Sequence, residues 1–225
     1  MTRIAAVVFA LLLCAGVAVA AQFGDSQYPI KADDGEPMAN FDIGAALAAR
    51  LEKLPGKIAV GNVQGDVTLM QFYDLNCPFC REAAADVDAL VRNDKNLKLV
   101  FVPYPVLSVA SVQGALVELE ASKLLTPEQY LQFHRRIYAE RGTVNAARVL
   151  AAAQDIGLDQ QKLAATAMTE ANLNVLKESG TFGKAAKLIA TPSYVIGGVA
   201  ILGHPGLKPM QDMIKAVRTC GKVVC

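Results

Sequence analysis

The sequence lacks an excess of charge of either sign: 22 Lys and Arg stand against 21 Asp and Glu. A chain so balanced has no electrostatic reason to seek nucleic acid or an anionic membrane. It also lacks low-complexity tracts, internal repeats and any long apolar run beyond its first twenty residues. Those absences exclude a repeat architecture and a spanning segment within the body of the chain. Histidine is reduced to His134 and His204. His134 falls in an Ala-rich helical segment and reads as a structural or surface residue. His204 falls in a Gly/Pro turn and reads as solvent-facing, so neither stands where a catalytic base is expected.

What is present begins at the N-terminus. Met1-Thr2-Arg3 carries one positive charge, Ile4 to Val19 is almost wholly apolar, and Ala18-Val19-Ala20 offers the small-x-small pattern of a cleavage site. This order is that of a secretory signal peptide cut after Ala20, and the apolar run is short for a membrane span. Cys14 does not make it a lipoprotein signal, because the preceding Leu13 is not small. Removal of residues 1–20 takes away Arg3 and no acid, so the formal charge falls from +1 to 0 over about 205 residues. Four cysteines remain, Cys77, Cys80, Cys220 and Cys225, in an exported chain where disulfides persist. Three connectivities are open to them; local pairing within each close-spaced group is the economical one.

Residues 21–40 are polar and turn-forming and read as a loose leader. Phe41 to Leu54 shows helical spacing that Pro55-Gly56 stops, a helix able to pack on its own domain or on a second copy. Lys57–Gly61 and Val67–Tyr73 read as strands, and Ala83, Ala84, Val87, Leu90 and Val91 as one face of a helix. Leu97–Tyr104 then closes a strand–helix–strand unit with parallel strands. From Val109 to Leu188 five Ala-rich helical patterns follow, one opening at Thr126-Pro127-Glu128-Gln129, with breaks expected at Asn145, Gly157 and Gly180. Tyr194–Leu202 is a hairpin around Gly197-Gly198, and Leu207–Thr219 an amphipathic helix. The organisation is therefore α/β. A core made of residues 57–106 and 189–219 encloses a helical insert, 107–188; residues 21–56 precede it and a tail, 220–225, follows.

Cys77-Pro78-Phe79-Cys80 stands where a buried strand gives way to a helix. Two cysteines three apart lie on the same side of a first helical turn, and Pro78 suits its first position. Cys77 faces the free N–H groups and positive dipole end, which favour thiolate over thiol. Cys77 is then the nucleophile of thiol–disulfide exchange and Cys80 the resolving thiol. Two other readings compete with this one. Zinc held with Cys220 and Cys225 requires a loop or ribbon rather than a helix start. A structural Cys77–Cys80 disulfide closes too little chain to stabilise much.

The segment Gln71-Phe72-Tyr73-Asp74-Leu75-Asn76-Cys77-Pro78-Phe79-Cys80-Arg81 resembles the catalytic segment of the DsbA-like thioredoxin-fold oxidoreductases, and among them the ScsC suppressor-of-copper-sensitivity branch. Thr191-Pro192-Ser193-Tyr194-Val195-Ile196-Gly197 resembles their second hallmark, and Pro103-Tyr104-Pro105-Val106-Leu107 also fits; the likeness covers about residues 57–219. It implies a thioredoxin fold with an all-helical insertion, an exposed nucleophile at Cys77, and a cis Thr191–Pro192 bond beside which an extended substrate pairs. Catalytic roles therefore fall on Cys77, Cys80, Pro78, Phe79, Thr191 and Pro192, with Cys220–Cys225 a structural disulfide. Two departures stand out. Gln71 replaces the glutamate that family members carry six positions before the first cysteine, and Phe79 replaces the histidine of the strongest oxidants. Asp74, the nearest carboxylate, reads as a surface residue.

These residues imply a periplasmic dithiol oxidase acting on unfolded or misoxidised exported proteins and recycled by a membrane partner of the DsbB or DsbD type. No cofactor is needed beyond the cysteine pair. An isomerase or reductase is the alternative, favoured by Thr191 and by any association through the Phe41–Leu54 helix. Cu(I) binding by the two soft thiols is a secondary possibility, unsupported by any Met- or His-rich tract.

Overall fold

The computed structural model describes residues 26–225; the expected signal peptide with its cut after Ala20 lies outside them, as do residues 21–25. Six strands form one mixed sheet: β1 (Asn40–Asp42), β2 (Ile58–Gly61), β3 (Val67–Tyr73), β4 (Leu97–Pro103), β5 (Ser193–Ile196) and β6 (Val199–Leu202). Their spatial order is β1-β6-β5-β3-β4-β2. The central strand β3 pairs in parallel with β4 and antiparallel with β5. Apolar side chains therefore leave it on both faces, as in any strand covered on two sides. Leu69 and Tyr73 enter one core cluster and Phe72 the other.

The crossover from β3 to β4 is α2 (Pro78–Asn93), which buries Cys80, Ala83, Val87 and Leu90. Offsets of three and four put these four on one helical face. The hairpin β5–β6 turns through Gly197 and Gly198, whose φ angles of 56° and 80° are both positive. That geometry is the two-residue turn matched to strand twist, and glycine adopts it without a Cβ clash. The closing helix α8 (Leu207–Cys220) turns Met210, Met213 and Ile214 inward.

Between β4 and β5 lie α3 (Val109–Ser122), α4 (Pro127–Tyr138), α5 (Ala146–Asp155), α6 (Gln160–Ala167) and α7 (Glu170–Ala185). Each opens at a side chain that accepts a free backbone N–H: Ser108, Thr126, Asn145, Asp159 and Thr169. Thr126 and Gln129 cap each other's backbone reciprocally. Gly180 is not a break but an interior residue of α7, where a Cβ would meet nothing within 4 Å. A lone glycine there costs about 1 kcal/mol against alanine, which the packing of Leu176 and Phe182 on either side outweighs. The insert shares its core with the sheet, since Val117, Tyr130, Phe133 and Val149 join Leu69, Leu99 and Phe101 in one cluster.

The loose leader is corrected from residue 26 onward. Ile30 is buried in that same cluster, and β1 extends the sheet by pairing with β6, Phe41 opposite Ala200. Asn40 is buried too. Its Nδ2 donates to the Tyr28 and Met38 carbonyls at 2.9 and 2.8 Å, and its Oδ1 accepts from the Tyr28 N–H at 2.7 Å. A polar residue thus enters the core because every hydrogen bond it needs is supplied. The helix starts three residues later than its pattern suggested, as α1 (Gly44–Lys53). Leu47, Leu51 and Leu54 pack with Phe72 and Phe182, so the apolar face considered for association is covered within the fold.

Candidate active site

Cys77 is the residue before α2, in extended conformation, with Pro78 at the first helical position and no side-chain cap on the free N–H groups. The segment leading to it is held by two side chains. Asp74 is buried, not at the surface as its sequence context suggested. Its Oδ1 accepts from the Asn76 N–H at 2.8 Å, and its Oδ2 from the Val106 and Leu107 N–H groups, both at 2.9 Å. Three N–H donors are what allow a carboxylate to be buried without a cation. Asn76 reaches the other way: it donates to the Val144 carbonyl at 2.8 Å and accepts from the Val144 N–H at 2.7 Å. Arg81 then ties α2 to the insert, donating to the Tyr138 and Glu140 carbonyls at 2.6 and 2.7 Å with its guanidinium 5.1 Å from the Tyr138 ring centre. Sequence reading assigned no role to Asn76 or Arg81. Their partners lie 35 to 68 residues away, and only their place beside the cysteine motif pointed to them.

The reactive sulfur is not exposed as the resemblance implied: Cys77 is 4% accessible and Cys80 1%. Both thiols are free. The Thr191–Pro192 peptide is cis, and as a thiol Cys77 Sγ–H donates to the Thr191 carbonyl oxygen at 3.0 Å. The Cys77 pKa falls from 9.0 to about 6. The largest cause is the hydrogen bond from Cys80. Burial opposes the shift; the Thr191 side chain and the Cys80 and Phe79 backbone N–H groups add to it. Cys80 moves the other way, pushed far up first by burial and then by its hydrogen bond to Cys77. One sulfur is therefore a thiolate at neutral pH and its neighbour is held as a thiol. Environments that separate two pKa values in this way assign nucleophile and resolving group. Phe79 is 62% exposed, and Val106, Leu107 and Ile189 are exposed as well. A groove of about 470 Å³ runs from Gly180 and Lys184 past Tyr104, Leu107 and Ile189 to Thr191. Thr191, whose carbonyl the Cys77 sulfur meets, thus stands at one end of this groove.

Gln71, six positions before Cys77, is buried on β3 opposite Tyr194. Its Nε2 is 3.5 Å from the Tyr194 hydroxyl, and its Oε1 has no hydrogen-bond partner. Each histidine has a carboxylate partner; His134 takes the structural one of its two expected places, and His204 departs from expectation. His134 is buried, its Nδ1 2.8 Å from Glu118 Oε1. His204 is not turned to solvent: its Nδ1 is 2.9 Å from the Tyr194 hydroxyl and its Nε2 2.9 Å from Asp86 Oδ2. Cys220 and Cys225 are joined to each other, which removes them from any zinc site with the first pair.

A family profile described as Thioredoxin matches residues 53–216. No curated protein matches the chain. Among solved structures, a thioredoxin-like oxidoreductase from Silicibacter pomeroyi DSS-3 is 30% identical, with TM-score 0.68, over 74% of this chain and 94% of its own. The catalytic domain of Proteus mirabilis ScsC is 19% identical, with TM-score 0.67, over 77% of this chain and 97% of its own. A periplasmic thioredoxin-like protein from Salmonella enterica serovar Typhimurium is 22% identical, with TM-score 0.65, over 79% and 99%. The last two likenesses are of fold.

Proposed function

The chain belongs to the thioredoxin family and is a thiol:disulfide oxidoreductase, and from that premise we propose that it is a periplasmic dithiol oxidase that passes a Cys77–Cys80 disulfide to exported proteins. The observation that carries this reading is the opposed shift of the two thiols. A Cys77 pKa near 6 means that the reduced site is stabilised as a thiolate at neutral pH. Stabilising the reduced state makes the corresponding disulfide a stronger oxidant.

In the productive direction a substrate thiolate attacks Cys77 Sγ. A Cys77–substrate disulfide forms, the Cys77–Cys80 bond breaks, and Cys80 leaves with the electron pair. A second substrate thiolate then attacks its own sulfur in the mixed disulfide and releases Cys77 as the thiolate its surroundings favour. The groove ending at Thr191, with Lys184 and Lys187 along it and an apolar rim, suits an extended peptide segment. The secretory signal at residues 1–20 supports export, and a membrane partner of the DsbB type would restore the disulfide.

The test is the reduction potential of Cys77–Cys80 against glutathione, in a chain with Cys220 and Cys225 replaced by Ser. A value of about −120 to −150 mV is expected of a disulfide donor. A value of about −250 mV or lower would overturn the oxidase reading in favour of a reductase or isomerase fed by a DsbD-type partner.

A further inference from the structure

The groove that ends at Thr191 is apolar in its lining except for two cations. Tyr104 and Leu188 are its buried residues. The Tyr104 ring lies against α7 at Gly183, where a Cβ would meet two ring carbons at 2.5 Å, and its hydroxyl donates to the Leu188 carbonyl at 3.2 Å. Val106, Leu107 and Ile189 line the same groove with more than half of their surface open to solvent. Lys184 and Lys187 are the charged lining residues, and no carboxylate stands among them. The lysines that pair with carboxylates in this fold, Lys123, Lys162 and Lys208, lie elsewhere; Lys184 and Lys187 have no such partner among the described residues.

Lys187 stands there in an unfavourable conformation. Its φ of 54° makes it the one non-glycine residue at positive φ among the described residues. The left-handed position after a helix ordinarily falls to glycine, because a Cβ is crowded there. The helix end itself is closed by backbone bonds, Lys187 N–H to the Lys184 carbonyl at 3.2 Å and Leu188 N–H to the Gly183 carbonyl at 2.9 Å. Glycine at 187 would make the same bonds without strain, and strain of this kind gathers at functional sites. Lys184, in the last turn of α7, also complements the helix dipole. That role accounts for one lysine and not for the left-handed backbone of the other.

We propose that Lys184 and Lys187 make this groove selective for client segments that carry Asp or Glu close to the reacting cysteine. Thr191 joins the groove to the chemistry, since it lines one end and its carbonyl meets Cys77 Sγ at 3.0 Å. A segment linked through its own cysteine to Cys77 therefore has its neighbouring residues beside the groove. Apolar side chains of the segment cover Val106, Leu107 and Ile189, and a carboxylate meets the two ammonium groups. The charges act on binding; the exchange step, attack on Cys77 with release of Cys80, is the one already described. The inference rests on the thiol-exchange reading and adds to it the class of client.

The experiment follows single-turnover reduction of the Cys77–Cys80 disulfide by unstructured peptides with one cysteine, flanked on both sides by Glu, Gln or Lys. The parent chain is compared with Lys184→Glu plus Lys187→Glu, with Lys184→Gln plus Lys187→Gln, and with Lys187→Gly, all in the background of Cys220→Ser and Cys225→Ser. Flanking charge also alters the reactivity of the peptide thiol. The quantity read is therefore the Glu-to-Lys rate ratio of the parent divided by that of the variant, in which peptide reactivity cancels. Charge reversal is expected to change it by about tenfold at low salt, and the Gln pair by about threefold, exposed ion pairs being individually weak. Both effects should shrink in about 1 M salt. Lys187→Gly should lose part of the preference and unfold in urea no earlier than the parent. A change within about twofold for the reversal and the Gln pair alike would overturn the proposal. A change indifferent to salt would assign it to altered shape and overturn it as well. Lys187→Gly with full preference and early unfolding would return Lys187 to a structural role and overturn its part in selection. Failure of the parent to exchange with the Gln peptide at all would instead remove the exchange reading, and this inference with it. The Gln pair carries the test if the charge-reversed chain does not fold.

Discussion

Two cysteine pairs stand in this fold, each close-spaced in sequence, and they occupy opposite ends of helices. Cys77 precedes the N-terminus of α2, buried, with free N–H groups ahead of it. Cys220 is the last residue of α8, exposed, where the chain leaves the helix through Gly221 at φ 75° and returns to Cys225. At the first place the helix dipole favours an anion; at the second it opposes one. The loop closed by Cys220–Cys225 carries Val223 into the core, so the second pair fixes a hydrophobic contact. Spacing alone does not decide what a cysteine pair does; the helix end and the surrounding hydrogen bonds do.

Three variants break or sharpen this contrast. Cys77→Ser should lower disulfide exchange by about a thousandfold or more, since a serine hydroxyl stays protonated where the thiolate acts; retained turnover would mean that another thiol does the chemistry. Cys80→Ala removes the largest cause of the Cys77 shift. The pH midpoint of iodoacetamide alkylation, expected at about 6 in the parent chain, should move up toward the ordinary thiol value. A midpoint unchanged in Cys80→Ala would place the origin of the shift in the helix N-terminus and the Thr191 side chain. The smallest effect belongs to the other pair. Cys220→Ser with Cys225→Ser should cost roughly 2 kcal/mol of stability in urea unfolding, on the loop-entropy account, and leave the exchange rate within about twofold. A large loss of rate would make the second pair part of the redox path.

The parts of the fold written in local pattern were legible in the sequence. The strand–turn–helix around the first cysteine pair, the Thr126–Gln129 box and the Gly197-Gly198 turn each rest on residues within a few positions of one another. What was missed depends on distant partners. Asn40 and Phe41 carry no strand pattern and become β1 because β6 presents a free edge. Asp74 looks like a surface acid until the N–H groups of Val106 and Leu107 arrive 32 and 33 residues later. His204 looks like a turn residue until Asp86, 118 positions earlier, comes to its Nε2. Polar side chains are placed by the partners that satisfy them, and one-dimensional periodicity records only apolar faces.

The burial of Cys77, whose sulfur meets the Thr191 carbonyl at one end of the groove, bears on who could be served under the proposed activity. A cysteine on the convex surface of a finished protein would not reach so buried a sulfur, whereas one carried on a slack, unstructured stretch would. Access is thus a measure of how unfinished the client is. Under the proposed donor activity, a client that has collapsed around its new disulfide would be kept from returning by its own shape, and the reaction would be ended by the folding it promotes.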